Sequence, residues 1–376
     1  MQIRINQITD KAVGLGYLGD KAVFIPNTLP GELIEFNSLV EGRTSYSVDQ
    51  YHIVEESPLR IKPKCKYSSI CGGCDFDYVD NYNSAKLKFD IVAHNFKRKL
   101  NIDIEEDFSY SEVENYRARC RVHVSLKDNK IGFLTKRANS LVEIDSCPCL
   151  EDRLNELLKN PQLILKKARS ALFEKGINRK TGFVELSLFN ADDKVLLEKE
   201  EGKRTVAGIP FSIKASSFFQ SNPHVLSSLF DYVVENVKGE NVMDLYAGAA
   251  VFSSLLKDKN MIAVERDKNC LALAKKNAPH ASFYTDDVYK WAKNRKVNID
   301  TIIVDPPRVG LDRQVPALIS SWNAKDIIYV SCNSATLVRD LAHFDKYEVK
   351  KVKVFDFYPG TSHVECVAVL SRKESL

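Results

Sequence analysis

At 376 residues the chain is long for one hydrophobic core, so two or three domains are expected. Its 44% hydrophobic and 28% charged residues are those of a globular protein; no apolar run reaches the roughly 18–20 residues that span a bilayer, and the N-terminus lacks signal-peptide order, so a cytoplasmic protein without membrane contact is expected. The formal net charge of +4 is uneven: residues 1–60 hold 5 Lys and Arg against 8 Asp and Glu, whereas residues 61–138 hold 15 against 11, a balance suited to a polyanionic partner.

Residues 1–60 read as short strands near 2–5, 22–25, 32–36 and 46–54, separated by turn signals at Gly14-Leu15-Gly16, Asn27 to Gly31 and Glu41-Gly42. Short strands at this spacing predict a small β-barrel, with a linker near Ser57-Pro58. From Cys65 to about residue 205 the pattern is mixed. Ala85, Phe89, Val92, Phe96 and Leu100 mark an amphipathic helix, and alternation around 117–145 marks antiparallel strands. Basic clusters stand at Lys62/Lys64/Lys66, Lys97-Arg98-Lys99, Arg117/Arg119/Arg121 and Lys136-Arg137. After about residue 220, strands at 242–246, 261–265, 281–285, 301–305 and 327–331 alternate with helical stretches, and two more follow near 348–356 and 363–370. That order predicts a mainly parallel, doubly wound α/β sheet closed by an antiparallel pair at its edge.

Four groups of residues carry chemistry. The strand 242–246 ends in Tyr246-Ala247-Gly248, and 21 residues after Asp244 the next strand ends in Glu265, placed to accept from two ribose hydroxyls. One glycine is too few for a pyrophosphate cradle, which favours a cofactor without phosphates, such as S-adenosylmethionine. A second group lies at two further strand ends, Asp305-Pro306-Pro307-Arg308 and Ser331-Cys332-Asn333-Ser334, followed by His363-Val364-Glu365. Position C5 of a pyrimidine is hardly nucleophilic, so its methylation needs a thiolate on C6 and then a base to remove the C5 proton. Cys332 and Glu365 suit these roles. A third group, Cys65, Cys71 and Cys74 within 10 residues, signals metal, with Cys120, Cys147 or Cys149 as the fourth ligand. Four sulfurs suit zinc or an iron–sulfur cluster, and the six-residue first step leans toward the cluster. The fourth group is Phe218-Phe219-Gln220-Ser221-Asn222, where Gln220 and Asn222 can reach a cofactor.

Taken together, these motifs resemble the RNA uracil-5-methyltransferases over nearly the whole chain. The resemblance implies residues 1–58 as an OB-like RNA-binding barrel (TRAM domain), 59–205 as a central α+β domain carrying a 4Fe–4S cluster, and 206–376 as a Rossmann-like class I methyltransferase domain, onto which the helix near 80–100 folds back. It implies Cys65, Cys71, Cys74 and Cys147 as cluster ligands. It places Gln220, Tyr246, Gly248, Glu265, Asp287 and Asp305 at S-adenosylmethionine, with Cys332 as nucleophile and Glu365 as base. Ala247 and Ala250 depart from the family's Cys or Ser and second Gly, and Val251 cannot make the polar contact found in relatives.

The expected product is 5-methyluridine in 23S rRNA, the cysteine motif favouring ribosomal over transfer RNA, made by a monomer with no obligatory protein partner. The rivals are a tRNA uridine-5 or RNA cytosine-5 methyltransferase and a non-catalytic RNA-binding protein. Joint retention of Cys332, Glu365 and Glu265 argues against the last.

Overall fold

A computed structural model of the protein describes residues 1–136, 139–293 and 295–374. The first 55 residues form two small sheets. Gln2–Arg4, Leu33–Glu35 and His52–Glu55 make one; Gln7–Ile8, Val13–Leu18, Lys21–Pro26, Ser45–Ser47 and Val40–Glu41 make the other. Alternate side chains pointing inward along these strands bring Ile3, Ile5, Val23, Ile25, Ile34, Phe36 and Val48 into one core. Gly14-Leu15-Gly16, expected as a turn, lies within the strand Val13–Leu18. A Cβ on Gly14 would fall 2.0 Å from Thr28 Oγ1, and one on Gly16 2.7 Å from the Arg4 carbonyl oxygen. These glycines admit a close backbone crossing and do not bend the chain. The expected stretch 46–54 is divided between Ser45–Ser47 and His52–Glu55, which belong to different sheets.

The presumed linker is a docked segment. Arg60 grips the buried Glu32 carboxylate with two bonds, Nε to Oε1 at 2.5 Å and Nη2 to Oε2 at 3.0 Å, and lies over the Tyr78 ring. Ile8, Ala12 and Leu29 pack beside it on Phe76, Tyr78 and Val79. The helix Asn81–Leu100 follows, capped by Asp80, whose carboxylate accepts from the Asn83 N–H, and ended by Asn101 at φ 55°. Its apolar stripe, Phe89, Val92 and Phe96, enters the same core as Met243, Ile302 and Tyr329 of the C-terminal sheet. Between these regions a five-stranded antiparallel sheet runs in the order Leu141–Glu143, Lys130–Leu134, Arg119–Ser125, Val184–Asn190, Val195–Leu197, covered by the helices Asp152–Lys159 and Gln162–Lys175.

The C-terminal sheet is ordered Ser282–Tyr284, Asn260–Val264, Asn241–Leu245, Thr301–Val304, Asp326–Ser331, Glu365–Arg372, Tyr347–Phe355, Phe108–Ser109. The first five strands are parallel and read as near-continuous apolar runs because both faces are covered. The closing pair is antiparallel, as its lack of an intervening helix predicts, but it does not end the sheet. Glu365–Arg372 is inserted next to Asp326–Ser331, and Phe108–Ser109 forms the edge beyond Tyr347–Phe355. No helix among the described residues is long and apolar enough to cross a membrane.

Candidate active site

Strand order reverses between Asn241–Leu245 and Thr301–Val304, and their carboxyl ends open onto a cleft of about 490 Å³. Gln220, Asp244, Tyr246, Gly248, Asp305, Arg308, Cys332, His363 and Glu365 line it. Sheet register brings Cys332 and Glu365, the expected nucleophile and base, to one place. Cys332 directly follows Asp326–Ser331, Glu365 begins the antiparallel neighbour, and Ser331 pairs with Cys366. Two residues 33 positions apart in the chain therefore emerge at the same sheet edge.

The turn after Cys332 is fixed by its neighbours. Asn333 caps the helix Ser334–Leu341, accepting from the Ala335 and Thr336 N–H groups, while its amide nitrogen donates to the Arg308 carbonyl oxygen at 3.3 Å. The Cys332 turn is thereby tied to the Asp-Pro-Pro-Arg turn beside it. Arg308 Nη2 donates to His363 Nδ1 at 2.6 Å, and the guanidinium acts to lower the proton affinity of the Cys332 thiol.

Buried carboxyls set the electrostatics. Burial raises Glu365 to about 7, against the opposing effects of a Gln220 hydrogen bond and Arg308. Burial, then the Glu365 charge, pushes Asp305 well above the usual carboxylate range, and burial lifts Asp244 to about 6. Burial and the Glu365 and Asp305 carboxyls raise the Cys332 thiol to about 11, with Arg308 pulling the other way. His363 falls to about 4 because it is buried and faces Arg308. In this state Cys332 is a protonated thiol and His363 a neutral acceptor. Two polar atoms in the cleft are buried without a partner: Gln220 Oε1 and Asp244 Oδ1. Both are poised to accept from a ligand.

The other expected cofactor residues divide. Tyr246 and Gly248 line the cleft at φ 63° and 55°, in a loop where Ala250 also sits at φ 57°. Glu265 lies behind that loop, its carboxylate accepting from the Gly248 N–H at 2.9 Å and the Asp267 N–H at 2.6 Å. Asp287 does not line the cleft; it caps the helix Val288–Ala292 through the Tyr289 and Lys290 N–H groups. Asn222 caps the helix Pro223–Asn236, and its amide nitrogen donates to the Phe357 carbonyl oxygen. Sequence reasoning missed Arg117 and Cys270 as lining residues. The signal for Arg117 was its basic cluster, which the fold disperses. Lys66 pairs with Asp145 and Lys97 with Asp103 on the surface, Arg117 faces the cleft, and Arg137 lies outside the described residues.

Cys65, Cys71, Cys74, Cys147 and Cys149 border a separate cavity of about 370 Å³. Among the described residues, no three His, Cys, Asp or Glu side chains are drawn together closely enough to hold a metal ion. Cys147 is lowered to about 6, chiefly by a hydrogen bond from the Cys149 thiol, whose own proton is correspondingly held. The thiols surround a space and do not close on a point.

Comparison with known proteins accords with this geometry. Residues 290–373, which carry Asp305, Cys332 and Glu365, match the family described as tRNA (Uracil-5-)-methyltransferase. An uncharacterized RNA methyltransferase of Treponema denticola is 26% identical over 94% of both chains. One from Listeria innocua is 26% identical, covering 99% of this chain and 98% of its own. The chain is thus similar to the tRNA (uracil-5-)-methyltransferases over residues 290–373 and to RNA methyltransferases over nearly its whole length. The fold agrees with the solved structure of the Pyrococcus abyssi tRNA (uracil-54, C5)-methyltransferase in complex with S-adenosyl-L-homocysteine, at TM-score 0.76 and 23% identity, covering 98% of this chain and all of that one. The protein presents a doubly wound α/β sheet with its cleft at the strand ends.

Proposed function

We propose that this protein methylates C5 of a uridine in RNA, with Cys332 as nucleophile and Glu365 as base. The observation that carries the proposal is the strand register that places those two residues at one edge of a cleft also lined by Asp305 and Gln220. S-adenosylmethionine, when bound, supplies the methyl group and the positive charge of its sulfonium. Gln220 Oε1 and Asp244 Oδ1 are open acceptors for the cofactor or the base. A cation among these carboxyls lowers the proton affinity of Cys332 and readies its sulfur. The Cys332 proton leaves to solvent, and the thiolate sulfur bonds to C6 of a uridine flipped into the cleft as the C5–C6 π pair moves onto C5. The electron pair released at C5 takes the methyl group, the Glu365 carboxylate accepts the C5 proton, and the C6–sulfur bond breaks to return Cys332. Burial and then Arg308 hold His363 neutral, and Arg308 steadies the thiolate.

The cysteine site fits a 4Fe–4S cluster in chemistry: soft thiolates around an open space suit a multi-iron group better than a single tetrahedral ion. Cys65, Cys71, Cys74 and Cys147 are the proposed ligands, with Cys149 beside them as a hydrogen-bonding thiol. The group has no part in the methyl transfer. The N-terminal β-unit and central region are proposed to hold the RNA flanking the target, and the protein to work as a cytoplasmic monomer.

The cysteine motif favours 23S rRNA as substrate, whereas the fold match to a tRNA (uracil-54, C5)-methyltransferase favours tRNA. Mapping 5-methyluridine by mass spectrometry in ribosomal and transfer RNA from a deletion strain decides between them. The chemistry is tested with RNA carrying 5-fluorouridine, which has no C5 proton to lose. Such RNA should become covalently trapped through Cys332, and trapping through another side chain would remove the proposal.

A further inference from the structure

Residues 356–364 join Tyr347–Phe355 to Glu365–Arg372 without regular structure, and strand pairing resumes only at Phe355 with Glu365. A connection of this length would let the residues leading into Glu365 wander unless something else held them. It is held from the cysteine-bearing segment. The Asp75 and Phe76 N–H groups both donate to the Gly360 carbonyl oxygen, at 2.8 and 3.0 Å. The Ser362 N–H donates to Asp75 Oδ2 at 2.6 Å, three residues before Glu365. Gly360 sits at φ 72°, a conformation that presents its carbonyl to both donors and that side chains rarely adopt.

The start of the connection is fixed as firmly. Lys88 Nζ donates to Asp356 Oδ1 at 2.5 Å and to the Tyr358 carbonyl oxygen at 2.8 Å, and Ser84 Oγ donates to Asp356 Oδ2 at 2.7 Å. The Lys88 and Asp356 side chains are 1% and 0% exposed. A pair this deeply buried is a costly way to gain stability, and it makes most sense where it fixes one geometry. Neither Asp75 nor Lys88 lines the cleft.

We propose that Asp75 is a positioning residue for the Glu365 carboxylate, acting through the Ser362 N–H, while Lys88 and Asp356 fix the other end of the same connection. The inference rests on Glu365 being the base. It gives the cysteine-bearing segment a function in the reaction whatever its thiols hold: that segment aims the base.

The test compares full-length variants at matched metal content. Asp75→Ala should lower kcat about tenfold or more, leave KM for S-adenosylmethionine within about twofold, and let the covalent RNA adduct accumulate. Asp75→Asn keeps an oxygen that accepts from Ser362 and should recover most of the rate. Ser362→Ala keeps the N–H and should behave as the parent protein. If Asp75→Ala is too unstable to purify, Asp75→Ser, which is too short to reach Ser362, carries the same expectation. Unchanged kcat in the Ala or Ser variant, loss of rate without adduct, or an Asn variant no better than Ala would overturn the proposal. Glu365→Gln serves as control. If it too fails to accumulate adduct, the base assignment falls; if it accumulates adduct and Asp75→Ala does not, only the positioning role falls.

Discussion

The cleft and the cysteine site are both built around thiols, yet the fold makes them differently. Cys332 stands at a strand end where burial, then the nearby carboxyls, hold its proton, with the thiol at about 11, while Cys147 is pulled to about 6 by a neighbouring thiol. Regular strand pairing assembles the first site. Loops anchored by long-range hydrogen bonds assemble the second. The difference teaches that a cysteine's chemistry is set by which charges and donors the fold delivers to it, since the side chain is the same in both places.

The comparison breaks most sharply at Cys332. Cys332→Ala should reduce methyl transfer by roughly a thousandfold or more while S-adenosylmethionine affinity, measured by calorimetry, changes little. Retained turnover would end the nucleophile assignment. Glu365→Gln should slow turnover by about 10²–10⁴-fold with adduct accumulating on a denaturing gel.

The same substitution tests the electrostatics of the cleft. Burial raises the folded-state Glu365 carboxyl to about 7, so keeping it ionised destabilises the native state. That destabilisation grows as pH rises from the unfolded carboxyl's range, near 4–5, and is complete above about 7. Glu365→Gln should therefore be more stable than the parent at pH 8 by an amount on the order of 3 kcal/mol, and the gain should vanish near pH 4. A parent that melts higher than the variant at pH 8 would contradict this. Because the base works ionised, the single-turnover rate of proton removal should climb tenfold per pH unit below about 7 and level off above it. A flat profile would mean that another group accepts the proton.

The cysteine site is sharpened by its own pair of variants. Cys147→Ala should lose most of its bound metal, whereas Cys149→Ala should keep it, as read by iron and zinc analysis of anaerobically prepared protein. The reverse result would make Cys149 the ligand and Cys147 its neighbour.

Much of the cleft was legible because strand ends are marked by local signals. Apolar runs of four to six residues terminate at Asp305-Pro306 and at Ser331-Cys332, and a parallel sheet delivers all such ends to one edge. The stripe of Phe89, Val92 and Phe96 likewise announced its helix. Asp287 and Asn222 were harder to read, because an acid or amide just before a helix serves equally as a ligand contact or as a cap. Gly14 and Gly16 were read as a turn because composition alone cannot tell a bend from a close crossing.

The sequence by itself determined the α/β alternation, the residues at the strand ends and the spacing of the cysteine motif, all of which are properties of short stretches of chain. Only the tertiary structure decided that Glu365 and Cys332 reach one cleft, that Arg308 bonds His363 beside them, and that Asp75 and Lys88 hold the connection leading to Glu365. Those facts depend on register and on contacts across more than 250 residues, where a one-residue shift in pairing would turn every side chain to the other face.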